Sequence, residues 1–188
     1  MPFTEKKYRK ATFGGGCFWC MQPPFEKVPG VISVAAGYTG GGKPHPSYEE
    51  VSGGLTGHIE AVDITYDPAR VSYEGLLEIF WANIDPTQAG GQFNDIGPQY
   101  QTAIFIHDDE QKRLASLSMK QLEISGLYKA PLQTRILPAG EFYAAEDYHQ
   151  QYYKKNPAHY NMYKTASGRE AHICRMSRQR KKGRQPPA

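Results

Sequence analysis

Long apolar runs are missing from this 188-residue chain. No stretch approaches the ~18 uninterrupted apolar residues that a membrane-spanning helix requires, so no membrane insertion is expected. The first residues, Met1 to Lys7, are charged and lack the apolar core of a signal peptide, which argues against export. Cysteine is also scarce. Three cysteines cannot all pair within one chain, and Cys17 and Cys20 stand only three positions apart, so a disulfide-stapled secreted scaffold is not expected. A reducing, cytoplasmic compartment fits better. No solenoid-type repeat and no internal linker interrupts the sequence, which predicts one domain over residues 1–174. The formal charge of +3 hides an asymmetry. Six of the 22 basic residues (Arg175, Arg178, Arg180, Lys181, Lys182, Arg184) fall in residues 175–188 with no acid among them, leaving 16 against 19 acidic residues in the body. The tail 175–188 therefore reads as basic and unstructured. The acidic body has no interleaved aromatic and basic face, so nucleic-acid binding is not expected.

What is present is regular periodicity broken by glycine at 14–16, 40–42, 53–54 and 90–91. Tyr8 to Phe13 reads as a short strand that breaks at three glycines. Cys17 to Lys27 then opens a helix whose Pro23 and Pro24 fall in its first turns, where proline does least harm. Val31 to Tyr38 is a second strand. Ile59 to Tyr66 alternates, with Glu60, Val62, Ile64 and Tyr66 on one face and Asp63 and Thr65 on the other. A helix capped by Ser72 carries Tyr73, Leu76, Leu77, Phe80 and Trp81 on one stripe. Thr102 to His107 reads as a strand, Asp109 to Ser125 as a helix ending at Gly126, and Leu132 to Leu137 as a further strand. The pattern predicts an α+β fold without long parallel crossovers, followed from Phe142 by an irregular C-terminal wrap.

Chemistry concentrates in Gly14-Gly15-Gly16-Cys17-Phe18-Trp19-Cys20. Cys17 would lie where a strand ends and a helix begins, so unpaired N–H groups and the helix dipole should favour its thiolate. The glycines would let a substrate approach the sulfur closely; an inert cysteine in a glycine turn is the bland alternative. Cys17 and Cys20 form C-x-x-C, which has three readings: a thioredoxin-like pair, half a zinc site, or a peroxidatic-type nucleophile beside an aromatic wall. The bulky Phe18-Trp19 insert weighs against the first. The absence of a second C-x-x-C or a spaced histidine pair weighs against the second, and His149 and His159 lack helical ligand spacing. Strand alternation buries Glu60, and a carboxyl in apolar surroundings can keep its proton near neutrality and serve as a general acid. A wet strand edge is its alternative. Tyr48, Asp95 and Tyr100 are polar groups near glycine and proline turns, where loops often carry function.

Taken in order, a set of motifs resembles one family, the A-type peptide methionine sulfoxide reductases. They are Gly16-Cys17-Phe18-Trp19, Ala36-Gly37-Tyr38-Thr39-Gly40-Gly41, Pro46-Ser47-Tyr48-Glu49-Glu50-Val51 and Thr56-Gly57-His58-Ile59-Glu60-Ala61-Val62. Asp85-Pro86-Thr87, Asn94-Asp95-Ile96-Gly97-Pro98-Gln99-Tyr100, Ala145-Glu146-Asp147-Tyr148-His149-Gln150-Gln151-Tyr152 and Lys155-Asn156-Pro157 continue it. The resemblance implies a ferredoxin-like core sheet with packed helices, and action on the S epimer of methionine sulfoxide, free or in peptides and proteins. It implies that Cys17 is the nucleophile, that Phe18 and Trp19 wall the substrate methyl pocket, that Glu60, Tyr48 and Tyr100 bind the sulfoxide oxygen, and that Asp95 sets the polar network. Attack would leave Cys17 as a sulfenic acid, cleared by a second thiol and then by thioredoxin.

That second thiol is either Cys20 or Cys174; Cys20 is preferred because it needs no long-range rearrangement. No cofactor or metal is implied, and a monomer is expected. Ser52 stands where many relatives have cysteine, and Ile84 where a histidine is frequent before Asp-Pro-Thr. The chain ends soon after the matching region, so no domain for the R epimer is expected.

Overall fold

The structure is a computed structural model describing residues 7–183, with side chains described from 7 to 180. In chain order the elements are β1 (Arg9–Gly15), α1 (Phe18–Glu26), β2 (Val31–Thr39), α2 (Tyr48–Ser52), β3 (Ile59–Tyr66) and α3 (Tyr73–Ala82). Two short strands, β4 (Gly91–Gln92) and β5 (Asp95–Ile96), pair with each other and lead into a 3-10 turn at Pro98–Tyr100. Then follow β6 (Thr102–Ile106), α4 (Asp109–Ile124), β7 (Arg135–Pro138), β8 (Phe142–Ala144), α5 (Tyr152–Lys155), α6 (Pro157–Ala166) and α7 (Arg169–Gly183).

Six strands form one mixed sheet in the order β7-β6-β1-β3-β2-β8. β3 lies between β1 and β2, antiparallel to both, so that Phe13 faces Val62 and Tyr38 faces Glu60 across the ladders. This central position explains why β3 is buried along almost its whole length. The alternation predicted for it holds. Val62, Ile64 and Tyr66 enter the main core with the helices, whereas Ile59 and Ala61 join Ala103 and Phe105 in a smaller cluster. Phe13 anchors the main core, its ring stacked on Phe80 at 5.0 Å and Phe25 at 5.5 Å. The predicted Ser72 cap is present: its side chain accepts the Gly75 N–H at 3.2 Å.

Three expectations need correction. β6 and β7 pair in parallel through α4, so the sheet does contain a parallel crossover. The segment after Phe142 is not simply irregular, because β8 adds to the sheet edge and α5, α6 and α7 follow. Gln150 replaces a strand beyond it, its amide accepting from the Ala36 N–H and donating to the Ala36 carbonyl. Finally, the basic tail is helical over residues 175–183. Met176 is buried there and Arg180 donates to the Trp81 carbonyl at 2.9 Å, contacts that offset the ordering entropy an isolated basic segment could not. Residues 184–188 lie outside the described residues. Among the described residues, no helix is long and apolar enough to cross a membrane.

Candidate active site

Cys17 is the N-cap residue of α1, at the strand-to-helix junction that the sequence predicts. The glycines before it serve the protein's own packing. A Cβ on Gly15 would stand 2.6 Å from the Met21 sulfur, and Gly16 adopts φ +80° against Gln92.

β3 delivers Glu60 to the first turn of α1, where its Oε2 accepts the Phe18 N–H at 3.1 Å. The carboxyl is 2% exposed. Burial pushes it up to about 8, with the Phe18 N–H pulling it back and the charge of Asp95 adding to the rise. It therefore holds its proton at neutral pH, as buried position predicts. Tyr48, the first residue of α2, and Tyr100, at the end of the 3-10 turn, come to the same place. Burial and then the Glu60 charge raise both phenols, Tyr48 to about 12, and the Cys17 thiol adds to each. Asp95 on β5 accepts the Tyr163 O–H at 2.6 Å; burial raises its carboxyl and the Tyr163 bond opposes this. The residues singled out from the sequence thus converge around one sulfur, from five separate segments.

The state of that sulfur differs from the expectation. Cys17 is raised well above an ordinary thiol, first by burial, then by its hydrogen bond with Cys20 and by the Glu60 charge. The helix start does not override this, because the Phe18 N–H is already engaged by Glu60. Cys20 is shifted the other way, lowered by the hydrogen bond from Cys17. All three cysteines are free; Cys17 and Cys20 are buried, whereas Cys174 is exposed on α7.

Phe18 and Trp19 occupy different environments. Phe18 is 1% exposed, wedged between Tyr38 and His149. Trp19 is half-buried, stacked on Tyr152 at 3.8 Å and edge-on to Tyr163. Its indole N–H donates to His149 Nδ1 at 3.0 Å. Since the indole can only donate, the His149 proton sits on Nε2, which has no partner among the described residues. His159 Nδ1 meets the Tyr152 hydroxyl at 3.1 Å.

Three residues escaped the sequence reading. Tyr163 bridges Asp95 and Cys17, and its phenol is raised by burial and by Cys17. Tyr160, one helical turn before it, reaches Cys20. The i, i+3 tyrosine pair on α6 was the available signal. Glu146 accepts the Tyr48 N–H through Oε1 and the Tyr38 O–H through Oε2, both at 2.9 Å, and so ties the C-terminal segment to α2. Ser52 donates to the Glu49 carbonyl and Ile84 is fully buried in the core, so neither departure touches the cluster.

Residues 9–181 match the family described as peptide methionine sulfoxide reductase. The chain belongs to that family. It is 56% identical over 170 residues to the peptide methionine sulfoxide reductase MsrA of Bacillus subtilis (strain 168), covering 90% of this chain and 96% of that one. Among solved structures it resembles methionine sulfoxide reductase A of Corynebacterium diphtheriae, with a TM-score of 0.71 and 35% identity over 82% of this chain and 77% of that one. It also resembles reduced Mxr1 from Saccharomyces cerevisiae, with a TM-score of 0.74 and 31% identity over 81% and 87% of the two chains. The same yeast protein has a structure in complex with Trx2. For a reductase of this family, a neutral buried thiol beside a protonated carboxyl is a coherent resting state.

Proposed function

We propose that the chain is an oxidoreductase that reduces methionine S-sulfoxide, free or in peptides and proteins, by attack of Cys17 on sulfur. The observation that carries this reading is the buried Glu60 carboxyl, held protonated beside Cys17 and flanked by Tyr48 and Tyr100. A sulfoxide oxygen leaves sulfur only as it gains a proton, so a neutral acid and two phenols supply what the reaction demands. Glu60 lends its proton to the oxygen while the Cys17 sulfur bonds to the substrate sulfur. The Cys17 thiol's own proton returns to Glu60; the oxygen then passes to the Cys17 sulfur as the substrate S–O bond and the transient S–S bond break, so that methionine departs and Cys17 is left as a sulfenic acid. The substrate sulfur is reduced by two electrons and the Cys17 sulfur is oxidised by two. Trp19, half-buried, and Phe18 behind it offer an apolar wall to the substrate methyl group, and Asp95 with Tyr163 orients polar contacts.

Cys20 is the proposed resolving thiol. It shares the first turn of α1 with Cys17, whereas Cys174 lies exposed on α7. Cys20 would condense with the sulfenic acid to a disulfide, and a dithiol of the thioredoxin class, the kind of partner bound by yeast Mxr1, would restore both thiols. The order β6-β1-β3-β2 around α1 and α3 supports a ferredoxin-like reading of the core, with the remaining elements as additions to a single catalytic domain. Three cysteines, none of them paired, support a reducing, cytoplasmic setting.

A C-x-x-C thiol-disulfide oxidoreductase has no oxygen to protonate, so the two phenols flanking Glu60 would have no role in it. Incubation with dithiothreitol and each resolved sulfoxide epimer separates the two: loss of the S form alone, abolished by Cys17→Ser, is expected. Reduction of insulin disulfides with both epimers left intact would reverse the choice.

A further inference from the structure

Arg169, the first residue of α7, is the largest fully buried side chain described, at 1% exposure. Its guanidinium donates to the Gly15 carbonyl at 2.7 Å and the Asn83 carbonyl at 2.6 Å, approaches the Met21 sulfur at 3.4 Å, and lies over the Phe93 ring. Its Nε has no partner, and among the described residues it joins no ion pair. Its charge is felt at Asp95, whose carboxyl it lowers, but no carboxylate meets it at contact distance, and two carbonyl bonds satisfy only part of the guanidinium. Arg169 and Cys20 line the same cavity, of about 440 Å³, which none of Glu60, Tyr48, Tyr100 or Asp95 touches.

We propose that Arg169 is a positioning residue for the resolving step, its buried guanidinium holding Cys20 as the thiolate that attacks the Cys17 sulfenic acid. This rests on the reading of Cys20 as the resolving thiol. In that step the S–S bond forms as the Cys17 S–O bond breaks, and hydroxide leaves to become water with a proton from solvent. The Cys17 sulfur is reduced by one electron and the Cys20 sulfur oxidised by one. The charge is needed at this moment because oxidation removes the Cys17 S–H, the chief group lowering Cys20 in the reduced protein. Burial then opposes the Cys20 thiolate, and Arg169 is the next group that favours it. The other titratable groups reaching Cys20 are Asp95 from β5, Glu60 from β3, and Lys164 and Tyr160 from α6; Lys164 is shared with Glu170. Arginine suits the place better than lysine, since only a fork reaches the Gly15 and Asn83 carbonyls together.

The test uses the full chain carrying Arg169→Met, with Arg169→Gln as a second neutral variant should the first not fold. In a Cys17→Ser background, alkylation of Cys20 by iodoacetamide is followed against pH by mass spectrometry, which separates it from Cys174. The midpoint is expected to rise by about one unit or more when the charge is removed, and Arg169→Lys is expected to restore most of the shift. In single turnover with Cys17 present, dimedone trapping should find the sulfenic acid lasting about ten times longer, with the first equivalent of methionine still formed. An unchanged Cys20 midpoint, or equal slowing of both steps, would overturn the proposal. Peptide mapping of the oxidised wild type keeps the two readings apart. A Cys17–Cys174 bond would end the Cys20 assignment itself, whereas a Cys17–Cys20 bond formed at the wild-type rate in the neutral variants would end the role of Arg169 alone.

Discussion

Glu60 is the proton donor of the proposed mechanism, and its burial works against the fold. Replacing it with Gln keeps an oxygen for the Phe18 N–H but removes the proton donor, so Glu60→Gln should bind substrate and lose about 10²-fold or more in kcat. In the wild type the first step should run fully below about pH 8 and decline above it, as the raised carboxyl gives up its proton; stopped-flow rates against pH would check this, with Glu60→Gln showing no such limb. The stability sign follows from the same shift. The folded carboxyl titrates at about 8 and the free one at 4.5, so the folded state binds the proton more tightly and stability falls as pH rises between those values. Glu60→Gln removes that loss. Urea denaturation should find the variant close to the wild type near pH 4.5 and more stable at pH 8, by on the order of 3 kcal/mol.

Among the elements that hold the site, α2 is joined to the rest by side chains rather than by strand pairing. α2 is only five residues long and would not persist alone; Ser47 and Glu50 form its capping box and Glu146 takes the Tyr48 N–H. In Glu146→Gln the amide oxygen can keep the Tyr48 N–H only while the NH2 donates to the Tyr38 oxygen, so Tyr38 gives up its own donated bond and both contacts lose the carboxylate's charge. A cost of about 1–3 kcal/mol is expected, confined to the α2 loop. Since Tyr48 is then held less firmly, KM should rise several-fold with a smaller change in kcat, measurable in steady state with a sulfoxide peptide. Equal losses of KM and kcat in both directions, or none, would count against Glu146 as the tie.

At the scale of the whole molecule, the site is the meeting of β1, β3, α2, the β5 turn and the C-terminal helices around α1. The proposed cycle resolves through Cys20 and not through Cys174. Cys174→Ser should cycle normally with a thioredoxin-class reductant, and Cys20→Ser should stall after one methionine per chain; the opposite pair of results would transfer the role to Cys174. Much of this was legible in the sequence by itself. The strand-glycine-helix junction at Cys17, the inward face of β3 with Glu60, and the Ser72 cap depend on local periodicity and short-range hydrogen bonds, which neighbouring residues determine. The ordered motifs carried Tyr48, Asp95 and Tyr100 as well. Only the tertiary structure decided what comes from contacts distant in sequence. Burial, the bond with Cys20 and the charge of Glu60, 43 positions away, raise the Cys17 thiol, where a helix start alone would favour the thiolate. The fold also brings Tyr163, Glu146 and Arg169 to the site, and it turns residues 175–183 of an expected loose tail into a helix docked on Trp81. Periodicity reports which way a side chain points, but the charge state of a buried group depends on everything packed against it.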